Sequence, residues 1–121
     1  MKTLTLLSVA ASCVLFFSTQ TAYAKNWNDL DCGDNWQPTK SRAPVYPKRA
    51  MQMAIEGFIE MSFTITADGQ VEDVGVVESS KKVFIRSATR AVNSMEFRPC
   101  IQNGQPTRLT NVSVIYNFNL K

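Results

Sequence analysis

The 121-residue sequence contains no histidine, and it has only three cysteines and five glycines. Without histidine, the chain lacks the usual general base, the usual partner of a catalytic serine or cysteine, and the commonest metal ligand. A formal net charge of +3 is too small to indicate nucleic-acid binding, which needs many clustered cations. The sequence shows no glycine-rich phosphate loop and no metal-ligand spacing. We therefore expect a protein that is not an enzyme and that uses no metal, cofactor, nucleic acid or small-molecule substrate.

The first 24 residues have the pattern of a cleaved secretory signal peptide. Lys2 supplies the positive start, an apolar run covers residues 4–17, and an A-x-A cleavage site ends at Ala24. The run is shorter than the roughly 20 residues that a membrane-spanning helix needs. We expect a small exported protein, and the style of the signal suggests a bacterium. An uncleaved anchor and a lipoprotein modified at Cys13 remain as alternatives, although that thiol lies within the apolar run rather than after it.

Cysteine usage agrees with export, since cleavage would leave two cysteines, Cys32 and Cys100. An even pair in an oxidising compartment most simply forms a disulfide. In the loop-entropy model, such a bridge would stabilise the fold by about 4 kcal/mol. A reactive or metal-binding thiol pair is the alternative, but neither histidine nor a C-x-x-C spacing supports it.

Residues 25–42 are predicted to form an irregular N-terminal arm. They contain Asn, Asp, Gly and Pro with neither a helical nor a strand period. Two tryptophans, Trp27 and Trp36, lie in this arm. They could stack on a ligand, but such side chains more often pack an arm onto a core.

The remaining residues, 43–121, are predicted to form one folded domain. Pro44 and Pro47 impose an extended approach and then suit the start of a short helix over residues 48–55, which Gly57 would end. A hairpin follows, because apolar and polar residues alternate over 59–66 and a return strand is predicted over 71–77.

The turn and the return strand of this hairpin carry two further signals. Asp68-Gly69 is typical of a two-residue type I′ turn, which needs positive φ at both positions. Glu72 and Asp73 interrupt the alternation, so we expect a β-bulge there.

A second helix is predicted over residues 82–95, with Ser79 or Ser80 as its cap. Its apolar residues recur at helical spacing: Phe84, Ala88, Ala91 and Met95. A polar turn around Gly104 leads to a last strand over residues 108–120. The predicted fold is α+β, in the order α-β-β-α-β, with two helices packed on one face of a three-stranded antiparallel sheet.

This order of elements resembles the C-terminal domain of the TonB energy transducers over about residues 43–120. The resemblance rests on four short segments in their order and spacing: Tyr46-Pro47, Glu56-Gly57, Asp68-Gly69 and Phe97-Arg98-Pro99. It implies a periplasmic module that grips an extended segment, the TonB box, of outer-membrane receptors. The segment would add as a strand beside the last strand of the module.

The site implied by this resemblance is the free edge of the last strand, together with the Tyr-Pro segment. Its candidate residues are Tyr46, Pro47, Asn111, Ser113, Ile115 and Asn117. A strand that is paired on one side only offers unpaired N–H and C=O groups to a protein partner. The same edge could instead pair with a second copy in a homodimer, or lie under the N-terminal arm.

The sequence also departs from the family that it resembles. Full-length TonB proteins have an uncleaved transmembrane helix, which couples to ExbB and ExbD, and a long proline-rich spacer. Here a cleavable signal is expected, and Ala43 stands where the family often has glutamine. Two functions stay open: an accessory role in energy-dependent transport, and a TonB-like fold used for another envelope interaction, with a secretion or cell-wall component.

The signal-peptide interpretation predicts that the exported protein begins at Lys25 and carries no lipid. Intact-mass measurement after expression of the full sequence in a Gram-negative host checks this. A diacylglycerol group on Cys13, or a mass that retains residues 1–24, would contradict it.

Overall fold

Two long antiparallel strands form the centre of the main sheet, and the two helices pack on one of its faces. The computed structural model describes residues 25–120, so the predicted signal peptide and Cys13 lie outside the described residues. The helices are α1 (Lys48–Gln52) and α2 (Ile85–Asn93), with short 3₁₀ turns at Trp27–Asp29 and Lys82–Phe84. The strands are β1 (Lys25–Asn26), β2 (Pro38–Lys40), β3 (Gly57–Ile65), β4 (Val71–Ser79), β5 (Glu96–Phe97), β6 (Cys100–Gln102), β7 (Gln105–Thr107) and β8 (Leu109–Phe118).

The predicted α-β-β-α-β order is confirmed by α1, β3, β4, α2 and β8. The main sheet has the strand order β1-β8-β3-β4, in which β3 pairs antiparallel with both of its neighbours. The predicted three strands are therefore joined by a fourth, because β1 pairs parallel with β8. Two small antiparallel pairs, β2 with β5 and β6 with β7, complete the described structure.

The core lies between α2 and the inner face of the sheet. Alternate residues of β3 are almost completely buried, as its period-2 pattern predicts: Ile59, Met61, Phe63 and Ile65. The apolar stripe of the second helix is also buried: Phe84, Ala88, Ala91 and Met95, with Val92 beside them. Burying one large apolar side chain contributes about 1.5–3 kcal/mol. These two faces therefore determine how α2 packs on the sheet.

The hairpin between β3 and β4 is confirmed, but its turn differs from the predicted type I′ turn. The N–H of Gly69 donates to the carbonyl of Thr66 at 2.9 Å, and Thr66 in turn bonds with Gln70. The loop thus has three residues, and Gly69 has a φ of +92° whereas Asp68 keeps a negative φ. A type I turn followed by a left-handed residue is the usual geometry of a three-residue hairpin loop.

The predicted bulge at Glu72-Asp73 is confirmed. The pairing of β3 with β4 shifts between Ser62 and Thr64, and Asp73 has a φ of +53°. A second shift in the same strand pair falls between Glu60 and Met61, which are paired with Glu78 and Val76.

Both helices are shorter than predicted. The first ends at Gln52, with Met53 as its C-cap, because Ala54, not Gly57, takes the left-handed conformation, with a φ of +54°. The N–H groups of Ala54 and Ile55 donate to the carbonyls of Met51 and Ala50, which is the Schellman pattern.

The second helix begins as a 3₁₀ turn at Lys82–Phe84 and is α-helical from Ile85. The predicted caps do not form. Ser80 instead bonds with the backbone of Phe58, and the Ser79 hydroxyl donates to the carbonyl of Lys81.

The N-terminal arm is held on the domain by a disulfide and by aromatic packing. Cys32 and Cys100 are bonded as predicted, with a Cα–Cα distance of 4.9 Å. Trp36 is buried and stacks on Phe97 with ring centroids 5.1 Å apart, while Trp27 meets the edge of the same ring at 6.2 Å. The tryptophans thus pack the arm onto the core.

Gly69 is predicted to be a site where no side chain fits. An added Cβ would lie 1.9 Å from the carbonyl oxygen of Phe97, and the φ of +92° already disfavours other residues. We expect Gly69→Ala to lower the free energy of unfolding by roughly 3 kcal/mol in denaturant titration.

Gly104 provides the matched control, because it also has a positive φ, of +79°, but apart from its two chain neighbours no described residue has an atom within 4 Å of an added Cβ. Gly104→Ala should cost only about 1 kcal/mol. Equal losses in the two variants would show that backbone conformation alone, and not the contact with Phe97, determines the need for glycine at position 69.

Candidate functional site

The described part of the main sheet has two outer edges, and they differ in regularity. On one side, β4 is bent by two register shifts and carries the carboxylates of Glu72, Asp73 and Glu78. On the other side, β8 pairs with β3 without a shift from Val112 to Phe118. Bulges and charged side chains are the usual means by which proteins disable a sheet edge. The regular edge is therefore the one suited to accept a further strand.

The direction of the backbone groups in β8 follows from the pairing of β3. The carbonyl of Phe58 accepts a hydrogen bond from the N–H of Ser80 at 3.0 Å, so Phe58 faces β4. Successive residues of a strand point their backbone groups to opposite sides. Ile59, which is paired with Tyr116, therefore faces β8, and so do the residues at every second position.

The same alternation determines which residues of β8 face outward. Because Tyr116 turns its N–H and C=O toward β3, Ile115 and Asn117 turn theirs away from the sheet. Ser113 has the same orientation, two residues earlier in the strand. Of the predicted site residues in β8, these three thus have outward backbone groups.

The N-terminal arm covers the outer edge at one of these positions. Lys25 and Asn26 of β1 pair in parallel with Val112 and Ser113. The side chain of Ser113 is also buried, with 5% of its surface exposed. Ser113 is therefore occupied by the chain's own arm.

The edge beyond Ser113 borders an open groove of about 560 Å³. Its far wall is the extended segment 41–44 with Tyr46, and its near wall is residues 115–119 of the last strand. Ile115 is 54% exposed, and the side chain of Asn117 is also exposed. We call this feature the strand-edge groove. Its two walls come from opposite ends of the domain's sequence.

Tyr46 holds the far wall in place. Its ring meets the edges of Phe84 and Phe118, with centroids 6.0 Å and 5.4 Å away, and its hydroxyl donates to the carbonyl of Ile55. Burial raises the pKa of this hydroxyl, and the Glu56 carboxylate adds to the effect. Tyr46 thus serves the groove as a packed support and not as an ionisable group.

The six predicted site residues lie in four different places. Tyr46, Ile115 and Asn117 line the strand-edge groove. Pro47 lies just outside it, directly before α1, and Ser113 is covered by Asn26.

Asn111 lies beyond the regular pairing, where β8 carries an extra residue relative to β3, and it has a φ of +59°. Sequence reasoning missed the wall at residues 41–44, since Pro44, with Pro47 after it, indicated only an extended chain. It also missed which part of the edge β1 covers, because two paired residues leave no periodic signal.

Tyr116 brings a polar atom to the same region. Its hydroxyl is buried and has no hydrogen-bond partner within the described part of the chain. Burial raises the pKa of this hydroxyl. The residue lines the strand-edge groove and also packs against the core.

An α-β-β-α-β domain whose last strand runs along a sheet edge, beside a Tyr-Pro segment, defines the class of TonB C-terminal-like domains. The family model for the C-terminal region of the Gram-negative bacterial TonB protein matches residues 42–120. The chain belongs to this family.

Curated relatives agree with this assignment. Protein TonB of Pseudomonas aeruginosa is 36% identical over 79 residues, which are 64% of this chain and 22% of that protein. Protein TonB of Salmonella typhimurium is 30% identical over 88 residues, which are 68% of this chain and 35% of that protein. The chain therefore spans about a third or less of the length of these two relatives.

Solved structures show the same fold. The solution structure of the TonB C-terminal domain of Pseudomonas aeruginosa matches with a TM-score of 0.63 at 29% identity, covering 74% of this chain and 90% of that domain. The TonB2 protein of Vibrio anguillarum matches with a TM-score of 0.57 at 34% identity, covering 76% of this chain and 90% of that chain. Among residues 25–120, neither helix is long and apolar enough to cross a membrane.

Removing the hydroxyl group from Tyr46 and from Tyr116 is predicted to have opposite effects on the free energy of unfolding. Tyr116→Phe should raise the free energy of unfolding by about 1 kcal/mol, because a buried hydroxyl without a partner is removed. Tyr46→Phe should lower it, because the carbonyl of Ile55 loses its donor. Denaturant titration of both variants measures the difference, and a destabilised Tyr116→Phe variant would show that this hydroxyl has a partner in solution.

Proposed function

We propose that this chain is a periplasmic TonB-like binding module that adds an extended segment of a cell-envelope protein to the outer edge of β8. The observation that carries the proposal is the outward orientation of the backbone groups of Ile115 and Asn117 beside the strand-edge groove. Adding a strand satisfies such groups with backbone hydrogen bonds, and pockets for alternate side chains then give selectivity. The role is binding and not catalysis.

The covered edge at Ser113 limits the length of the ligand. Between this position and the end of β8, Ile115 and Asn117 are the outward-facing residues. Each offers one N–H and one C=O, so the added segment makes about four backbone hydrogen bonds. Each such bond contributes about 0.5–1.5 kcal/mol net. The ligand is therefore a short segment bound with modest affinity.

The walls of the groove favour an apolar side chain in the ligand. Ile115 is more than half exposed, and Pro44 and the Tyr46 ring lie across the groove from it. A ligand side chain between them would remove apolar surface from water on both walls, at about 25 cal/mol per Å². The chemistry fits an extended peptide with an apolar residue at its centre.

Membership of the TonB family supports a role in energy-dependent transport, with the TonB box of an outer-membrane receptor as the partner. The disulfide between Cys32 and Cys100 agrees with an oxidising compartment such as the periplasm. In this proposal the chain acts as an accessory module of that transport.

A proline at position 117 tests the proposal. Proline has no N–H to donate to the ligand, and an edge strand tolerates proline where the N–H would face outward. We expect Asn117→Pro to weaken binding of a labelled receptor-derived TonB-box peptide about tenfold or more in fluorescence anisotropy. Asn117→Ala, which keeps the N–H, should bind within about twofold of the unchanged protein.

Two outcomes would contradict strand addition. Equal weakening by the alanine and proline variants would assign the effect to the side chain, and unchanged binding by the proline variant would exclude this edge. If a panel of receptor peptides does not bind at all, while secretion or cell-wall components do, the alternative envelope function is favoured. Circular dichroism of each variant checks that the fold is kept.

A further inference from the structure

A second groove lies on the other side of the segment that forms the far wall of the strand-edge groove. It has a volume of about 510 Å³ and runs between residues 42–48 and one face of α2. Its apolar lining includes Pro44, Val45, Val83 and Ala91. The hydroxyl of Ser87 donates to the carbonyl of Val45, which ties the segment to the helix.

Four cations line this groove, and none of its described lining residues is a carboxylate. Arg42 and Lys48 belong to the segment, whereas Arg86 and Arg90 lie one helical turn apart on α2. All four side chains are exposed. Within residues 25–120, the ion pairs are those of Arg108 with Glu72 and Asp73, so these four cations have no carboxylate partner there. We call this feature the cationic groove.

The arrangement has an electrostatic cost that an anionic ligand would remove. Like charges four residues apart on a helix repel each other, and Arg86 and Arg90 are such a pair. Two more cations face them from the other wall. A charged cleft with low-dielectric walls also concentrates ligands of opposite charge.

The shape of the groove favours one class of anion. The cations lie on two facing walls above an apolar lining, so a ligand must present negative charge on both sides and apolar surface between them. An extended peptide does this, because successive side chains point to opposite sides of its backbone. A flat lipid surface presents its anionic groups in one plane and would put no apolar surface between the two walls.

We propose that the cationic groove binds an acidic, extended peptide segment of an envelope protein, in which pairs of adjacent Asp or Glu residues are separated by small apolar residues, so that the two carboxylates of a pair point to opposite walls. This site does not depend on strand addition, because it lies on the opposite side of residues 42–46 from the edge of β8. The two grooves share Arg42, Ala43, Pro44 and Tyr46 as a common ridge.

The probe is a fluorescein-labelled eight-residue peptide in which pairs of adjacent glutamates are separated by single valine or proline residues, and its reference is the same peptide with glutamine in place of glutamate. We expect the acidic peptide to bind the full chain and the glutamine peptide to bind at least tenfold more weakly. Raising the salt from 50 to 300 mM should weaken binding of the acidic peptide, because exposed charges are screened.

The test variant is the double substitution Arg86→Glu and Arg90→Glu, on the wall formed by α2. We expect it to weaken the acidic peptide about tenfold or more. The matched control, Lys40→Glu with Arg49→Glu, makes the same change in net charge at exposed cations outside the groove and should change binding less than about twofold. Asn117→Pro should leave this binding unchanged, which separates this site from the edge of β8.

Three results would overturn the proposal. They are equal affinity for the acidic and glutamine peptides, equal weakening in the test and control variants, and sedimentation with phosphatidylglycerol vesicles by a protein that does not bind the acidic peptide. The last result would assign the cations to an anionic membrane surface instead. Thermal unfolding confirms that both double variants remain folded.

Discussion

The aromatic ring of Phe97 joins three parts of the chain that would otherwise be independent. Its ring lies against Trp36 and Phe63, 5.1 Å and 6.2 Å away between centroids, so it links the arm to the sheet. Its backbone N–H donates to Gly69 at 2.9 Å, which links the same residue to the hairpin turn. Together with the disulfide, this packing positions the arm so that β1 reaches β8. Phe97 therefore influences how much of the β8 edge stays uncovered, although Phe97 does not contact that edge.

Patterns that repeat along the chain predicted most of the fold, whereas features set by a single tertiary contact were missed. In β3 and in α2, several apolar residues at regular spacing mark the same buried face. Both elements can therefore be predicted from the sequence. The turn at Gly69 depends on the approach of Phe97, which no local signal contains. The end of α1 at Ala54 uses a residue that rarely takes positive φ, so a glycine three residues later was predicted instead.

The candidate site shows the same division. Ile115 and Asn117 were predicted because the TonB resemblance implies a binding edge along the last strand, and their outward backbone follows from the pairing of that strand. Ser113 satisfies the same pattern, yet the arm covers it, because a two-residue parallel strand depends on packing elsewhere. Of the four cations in the second groove, Arg86 and Arg90 are one helical turn apart on α2. Arg42 and Lys48 join them because the Tyr-Pro segment folds back beside the helix.

The irregular course of β4 bears on how copies of this chain can associate. A filament built edge to edge needs two open edges in each molecule, one for each neighbour. In the described structure, β4 is interrupted twice and carries carboxylates, and β1 shortens the opposite edge to a stretch below the six or seven residues typical of cross-β stacking. Pairing through β8 would use the same edge in both copies and would leave none for a third. With the edges of the described residues, edge-to-edge association of this domain would be limited to a closed pair.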